Sequence, residues 1–193
     1  MNQQAMNPLS AFAHSTRELK SLRNLTFAAV LSALYAITYM PYIGNIIIVK
    51  GVVEIRFGFL IIAMAAMLYG PVVGSIVAMI GDLLGSILFY GGEFIIGYTF
   101  TWMLQGVVFG LFFYKCMVSI PRVIGAVTVN TVVVNLLITT TLQMLTMKDV
   151  TFQALLVQRL PLNLGMFPVR CILLYAVLRL TRELYRRLSR ART

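Results

Sequence analysis

The stretch that decides the fold runs from residue 57 to residue 90 and reads FGFLIIAMAAMLYGPVVGSIVAMIGDLLGSILFY. A membrane helix needs about 20 mainly apolar residues to cross a hydrocarbon core of roughly 30 Å. This run is therefore too long for one crossing. Its centre, YGPVVG at residues 69–74, combines an interfacial aromatic residue with a Gly-Pro turn signal. We predict two helices joined by a short turn there.

The whole chain has the composition of a membrane protein. Of its 193 residues, 60% are hydrophobic and 11% are charged, and the mean hydropathy is +0.88. A soluble domain usually carries about 25% charged residues. Residues 1 to 23 are polar and basic and contain no cleavage site after a short apolar core. The first apolar run is therefore expected to be a retained membrane span.

Four further apolar runs have the length of membrane spans: Leu25 to about Ile48 with an exit near Pro41, Ile95–Tyr114, Val123–Met147 and Ala154 to about Leu180. With the two helices of residues 57–90, they predict an all-α integral membrane protein of six transmembrane helices. The predicted organisation is a polar and basic N-terminal tail (1–21), a six-helix membrane domain (22–181) and a basic C-terminal tail (182–193).

The formal charge of +10 follows the predicted topology and does not indicate nucleic acid. Basic residues precede the first span, follow the fourth, and accumulate from Arg179 to Arg192. Basic residues flanking spans are typical of cytoplasmic ends, where they face anionic lipid. The pattern predicts a multi-pass protein of a bacterial cell membrane with both termini in the cytoplasm.

The sequence lacks the motifs of an ATPase or a metalloenzyme. It contains neither GxxxxGK[ST] nor HExxH, and its one histidine, His14, lies in the polar tail. Cys116 and Cys171 form no CxxC pair. We therefore expect no catalytic residue, no metal and no cofactor in this chain.

Asp82 is the main candidate for a binding residue. It follows Pro71 by eleven positions, which corresponds to ~16 Å along a helix inside the membrane. A carboxylate at that depth has to face protein, water or ligand. The alternatives are a structural ion pair, a protonated hydrogen-bonded acid, and a ligand or ion site. Nearby small residues predict close helix packing: Gly74, Ala78, Gly81 and Gly85.

The sixth predicted span carries a polar face. At 100° per residue, Arg159, Asn163, Met166 and Arg170 fall within a sector of about 60°. Snorkelling explains Arg159, near the membrane edge, better than Arg170. The face predicts contact with an anion or, alternatively, pairing with one of the acidic residues Asp82, Glu93 and Glu54.

The fourth predicted span adds Tyr98, Trp102 and Gln105 at i, i+4 and i+7. Trp102 is either an interfacial residue or a stacking platform beside the Gln105 amide. Residues 44–56 and GGEFIIGY, which contains Glu93, are predicted outer loops that cover a site. These groups together predict an outward cavity for a flat, anionic small molecule with a polar edge.

Three segments give the chain a family resemblance: IRFGFLIIAMAAMLYGPVVGSIVAMIGDLLGSILF, GGEFIIGYTFTWMLQGVVFGLFFY and LLVQRLPLNLGMFPVRCILLY. Over most of residues 22 to 180 the sequence resembles the folate-specific S component of energy-coupling factor (ECF) transporters. The resemblance implies a six-helix substrate-binding subunit that docks on a membrane coupling protein driven by two cytoplasmic ATPases, which use ATP and Mg²⁺. In the family an AxxxA pattern contacts the coupling protein, which implies Ala29 and Ala33 here, with Ala36 adjoining.

The resemblance also implies folate or a reduced folate as the ligand. A pterin has an adjacent ring N–H and amino group, which would donate hydrogen bonds to Asp82, and Trp102 would stack on the face of the pterin ring. The glutamate tail suits the arginines Arg56, Arg159 and Arg170. An S component for riboflavin, thiamine or a queuosine precursor is the nearest alternative. A solitary ion-coupled transporter, with Asp82 as a proton or sodium site, is the other.

Overall fold

A computed structural model describes residues 8–40, 45–49, 53–90, 95–146 and 151–190. Its helices are α1 (Pro8–Glu18), α2 (Leu22–Ile37), α3 (Gly58–Tyr69), α4 (Pro71–Gly85, continued as a π-helix over Ser86–Tyr90), α5 (Ile96–Phe113), α6 (Ile120–Thr146) and α7 (Phe152–Arg190). Two short strands, β1 (Asn45–Val49) and β2 (Val53–Arg56), form an antiparallel hairpin between α2 and α3.

The predicted break in residues 57–90 is confirmed. α3 ends at Tyr69 and α4 begins at Pro71. Gly70 between them has a φ of 93°, a left-handed value that a side chain disfavours. Pro71 has no N–H to satisfy and a φ suited to the first helical position. Two residues thus reverse the chain without a loop.

The predicted end of the first span is wrong. α2 stops at Ile37, and residues 45–49, which the sequence analysis assigned to the span and a loop, form strand β1. Pro41 disfavours helix both for itself and for the residue before it. The β-branched run Ile46–Val49 favours an extended strand, so it pairs with β2.

The later spans lie close to their predicted bounds, and the helix content exceeds the prediction at both ends. α7 runs on to Arg190, through the predicted basic tail, and contains Pro161 and Pro168. α4, α5, α6 and α7 are long and apolar enough to cross a membrane, whereas α2 and α3 are shorter apolar helices. The described chain is thus a helical membrane protein with four candidate spans and one β-hairpin.

Helix α1 lies within the predicted polar tail and is fastened to the α3–α4 turn. The buried Ser15 hydroxyl donates a 2.8 Å hydrogen bond to the Tyr69 carbonyl oxygen. Oγ of Ser15 also accepts hydrogen bonds from the backbone N–H groups of Val72 and Val73, at 3.1 and 3.2 Å. Since the first N–H groups of a helix have no partner within it, Ser15 caps α4 from another part of the chain.

Helix α4 is the centre of the bundle, packed against α2, α3 and α5. The core is built of small and aromatic side chains from these helices, completed by α6 and by Leu174 and Leu178 of α7. Antiparallel packing of α3, α4 and α5 places the β-hairpin and residues 95–96 at one end of the bundle. The Gly70 turn lies at the opposite end. We call these the hairpin end and the turn end.

Candidate functional site

The candidate site is centred on Asp82 of α4, which is 3% exposed. The Tyr39 hydroxyl, just beyond the end of α2, donates a hydrogen bond to Oδ1 of Asp82. The Thr99 hydroxyl, in the first turn of α5, donates to Oδ2 at 2.6 Å. Neutral donors from the end of α2 and from α5 therefore hold both oxygens of the carboxylate. Among the described residues no cation pairs with Asp82.

Two glycines of α4 bring Tyr39 to this position. A Cβ on Gly85 would lie 2.4 Å from the Tyr39 ring, and one on Gly81 would lie 2.3 Å from the Tyr35 ring. The two tyrosines meet edge to face, with ring centroids 5.8 Å apart. The predicted close packing at Gly81 and Gly85 is thus confirmed, and it sets the reach of the Tyr39 hydroxyl to Asp82.

Two glycines of α5 bring Thr99 to the other side of Asp82. A Cβ on Gly106 would meet the Gly74 backbone at 2.7 Å, and one on Gly110 would meet Pro71 Cα at 2.3 Å. Side chains at these positions would force the helices apart. Direct backbone contact fixes the register of α5 on α4. Thr99 lies seven residues from Gly106, towards the hairpin end, and this register places it beside Asp82.

Asp82 lies near the hairpin end of the bundle. Its partner Tyr39 follows the last residue of α2, and Thr99 is only three residues into α5. At 1.5 Å per residue, Thr99 is about 5 Å from the start of its helix. The carboxylate therefore lies at the same end of the bundle as the β-hairpin, and residues 91–94 of the predicted outer loop lie outside the described residues.

The remaining predicted residues of α5 do not share one environment. Trp102 is half-buried and packs against the hydrophobic core. Gln105 is 2% exposed, and its Oε1 has no hydrogen-bond partner among the described residues. Tyr98 is half-buried and interacts electrostatically with Arg159 of α7. Oε1 of Gln105 is thus a buried hydrogen-bond acceptor without a partner among the described residues.

The polar residues of α7 form a connected set. Arg170 donates to Oδ1 of Asn163 at 3.0 Å, and the Asn163 amide donates to the Arg159 backbone oxygen at 3.0 Å. Both arginines are partly buried. One predicted alternative was an ion pair between Arg170 and Asp82. Among the described residues Arg170 forms no such ion pair. Arg170 is instead oriented by a neutral amide, which leaves its charge available to an anion.

A cavity of about 380 Å³ lies between α6 and α7 beside this face. Its lining is almost entirely apolar and is formed by Thr128, Thr131, Val132, Leu136, Leu160, Asn163, Leu164 and Phe167. The hydroxyl of Thr131 and Oδ1 of Asn130 are buried without a partner among the described residues. Here α6 is a π-helix over Asn130–Thr139, a distortion frequent at functional sites.

Some predicted positions lie outside this geometry. Glu93 and the side chain of Arg56 fall outside the described residues. On α2, Ala29 and Ala33 are exposed, whereas Ala36 is 3% exposed and packs inside the bundle.

Tyr39 was missed by the sequence analysis. A tyrosine at the end of an apolar run is typical of the membrane interface. The contact of Tyr39 with Asp82 depends on Gly81 and Gly85, which lie far from it in the sequence.

Comparisons with known proteins agree with this architecture. The family model for the S component of ECF-type riboflavin transporters matches residues 19–179. The folate transporter FolT of Clostridium novyi (strain NT) is 38% identical over 125 residues, which cover 64% of this chain and 72% of that protein. A crystal structure of FolT bound with folic acid matches with a TM-score of 0.71 and 26% identity, covering 80% of this chain and 92% of that one.

Proposed function

The chain belongs to the S-component family of ECF transporters, and we propose that it binds folate or a reduced folate as the substrate-binding membrane subunit of an importer. The family resemblance predicted from the sequence is thereby confirmed. Its members are transporter subunits, so the chain is not an enzyme. The family model is named for riboflavin and the similar proteins for folate, and the two ligands differ in the edge that they present to the site.

The observation that carries the proposal is the environment of Asp82. Both of its oxygens accept hydrogen bonds, so the residue acts as a double acceptor. A pterin presents an adjacent ring N–H and amino group, which are two donors in a row. The corresponding edge of a flavin has one N–H between two carbonyl oxygens. The partial negative charges of these carbonyl oxygens would repel the negatively charged carboxylate. Asp82 therefore favours the pterin edge.

The remaining ligand groups find partners on α5 and α7. The ring of Trp102 offers a stacking surface for the pterin. The cations Arg159 and Arg170 suit the two carboxylates of the glutamate tail, because a guanidinium forms paired hydrogen bonds with a carboxylate. Support comes from the Arg170–Asn163 contact, which orients the guanidinium beside an apolar cavity. We assign Gln105, Tyr98, Asn163, Glu93 and Arg56 to the same site.

The transport partners follow from the family. We propose docking on a membrane coupling protein that is driven by two cytoplasmic ATPases, with ATP and Mg²⁺ bound by the latter. The exposed face of α2 around Ala29 and Ala33 supports close approach of a partner helix, because small side chains let backbones come together. In the proposed topology α2 to α7 are the six membrane helices, both termini are cytoplasmic, and the hairpin end faces outward.

The direct test is ligand identification. The protein is purified from cells supplied with both vitamins, bound small molecules are identified by mass spectrometry, and affinities for folic acid and riboflavin are measured by calorimetry. We expect stoichiometric folate and a strong preference for folic acid. Recovery of riboflavin, or equal affinities, would refute the assignment.

Uptake assays test the transport mechanism. Folate uptake should require co-expression of the coupling protein and both ATPases and should survive an uncoupler while ATP is maintained. Uptake by this chain alone that collapses with the uncoupler would identify a solitary ion-coupled transporter instead.

A further inference from the structure

We infer that Tyr39 and Thr99 are positioning residues that set the ligand selectivity of Asp82. The inference rests on the proposed function, since it concerns the same site. It adds two residues, one just beyond α2 and one in α5, whose hydroxyls orient the carboxylate before a ligand arrives.

The geometry supports this role because the two hydroxyls engage the two carboxylate oxygens separately. Tyr39 donates to Oδ1, and Thr99 donates to Oδ2 at 2.6 Å. A carboxylate oxygen has two acceptor sites. Each hydroxyl takes one of these sites, so among the described residues one acceptor site is left on each oxygen for the donors of a ligand. A ligand with two adjacent N–H donors matches that arrangement, and a ligand with one does not.

The two hydroxyls are themselves held by the packing of rigid backbone. Thr99 is 4% exposed, on a helix whose register is fixed by contact of Gly106 and Gly110 with α4. Tyr39 is 7% exposed, with its ring against Gly85 and the edge of Tyr35. Pre-organised donors cost little rearrangement when the ligand binds. The selectivity is therefore built into the junction of α2, α4 and α5.

The test compares two ligands in four variants. Tyr39→Phe and Thr99→Val each remove a hydroxyl and keep the shape of the side chain, and Thr99→Ser restores a hydroxyl. Thr101→Val is the matched control, because Thr101 is equally buried on α5 but donates to the Gly97 backbone oxygen. The ligands are folic acid and its 2-desamino-2-methyl analogue, which lacks one of the two donors.

We expect Tyr39→Phe and Thr99→Val each to weaken folic acid binding about tenfold, the order of one hydrogen bond to a charged group. The analogue should lose much less, so the ratio of the two affinities falls. Thr99→Ser should recover the ratio, and Thr101→Val should leave it unchanged. Equal losses for both ligands would indicate general damage to the fold and overturn the inference, as would unchanged ratios.

A second measurement is independent of the ligand. Infrared difference spectra of the ligand-free protein, wild type minus Asp82→Asn, isolate the Asp82 carboxylate band. Tyr39→Phe and Thr99→Val should shift that band, and Thr101→Val should not. An unshifted band, or a band of a protonated acid, refutes the positioning role. If folic acid fails to bind the wild-type protein while the band shifts as expected, the proposed ligand is wrong and the positioning role stands.

Discussion

The bundle is packed in two different ways on its two sides. In α4 and α5, 44% of each membrane-spanning window is buried inside the protein; the share is 39% in α6 and only 6% in α7. The α4–α5 contact is made by glycines against backbone, and Asp82 within it has partners on both oxygens. The α6–α7 contact holds a cavity, and α6 carries buried oxygens without a described partner.

This difference separates a fixed part of the site from an adaptable part. Backbone contact leaves no room for adjustment, so the α4–α5 side presents Asp82 in one orientation. On the α6–α7 side, lining side chains such as Leu160 and Leu164 are largely exposed and not interlocked with other helices. We therefore expect that side to adapt to a bound molecule more readily than the α4–α5 side. A rigid acceptor and a movable wall suit a subunit that has to bind a nutrient tightly and release it later.

The largest expected effect is on the rigid side. Asp82→Asn keeps the size of the side chain but replaces one acceptor oxygen by a donor. Of two ligand donors on this side chain, one would then face the amide NH2, a donor, and the other would bond to an uncharged oxygen. Affinity for folic acid should fall about 100-fold or more, on the order of 3 kcal/mol.

Calorimetry on the purified protein checks this loss. Ser75→Ala on the same helix is the control, since the Ser75 hydroxyl bonds to backbone oxygens of Pro71 and Met103. An Asp82→Asn protein that binds like the control would remove Asp82 from the site.

The packing difference itself is tested by adding one methyl group to each side. In Gly110→Ala the new Cβ would lie 2.3 Å from Pro71 Cα, so α4 and α5 must separate. We expect a loss of about 1–3 kcal/mol in the free energy of unfolding. In Gly165→Ala on α7 nothing lies within 4 Å of the new Cβ.

The α7 variant should be neutral or more stable by about 0.5–1 kcal/mol, because alanine favours helix over glycine. Thermal unfolding in detergent, followed by circular dichroism, measures both. Equal destabilisation of the two variants would show that the sides are packed alike.

A smaller effect is expected for the cation on the adaptable side. Arg170→Gln removes the charge proposed to meet the glutamate tail and keeps much of the side-chain length. Folic acid should bind about tenfold more weakly, the order of one bond to a charged group, while 6-methylpterin, which has no tail, should bind as before. Arg179→Gln on the same helix, an exposed position, is the control. A parallel loss for both ligands would contradict the assignment of the tail.

The smallest effect concerns the oxygens without partners. Thr131→Val replaces a buried, unpartnered hydroxyl by a methyl group of similar size, which should raise the free energy of unfolding by about 1 kcal/mol. Thr140→Val, at a buried hydroxyl that bonds to the Asn135 backbone oxygen, should lower it. Thermal unfolding of the ligand-free protein decides the signs. Destabilisation by Thr131→Val would mean that its hydroxyl has a partner in solution, such as water.

Much of the fold was predictable because membrane spans are a local property of the sequence. The break at Gly70 and Pro71 and the bounds of α5 and α6 follow from apolar length and turn chemistry. The end of α2 was predicted wrongly, since hydropathy alone does not distinguish helix from strand in the run Ile46–Val49. Helical periodicity places Arg159, Asn163 and Arg170 on one face of α7, where Arg170 donates to Asn163, and the contact of that face with an anion stays a prediction.

The sequence by itself determined that the chain lies in a membrane, where its helices turn, and that Asp82 and Arg170 are ionisable groups in apolar surroundings. These properties depend on neighbours along the chain. Only the tertiary structure decided what Asp82 contacts, because Tyr39 and Thr99 reach it through helix approaches that glycines elsewhere permit. Hydrogen bonds between helices depend on register to within an ångström or two, and no pattern within a single helix carries that information.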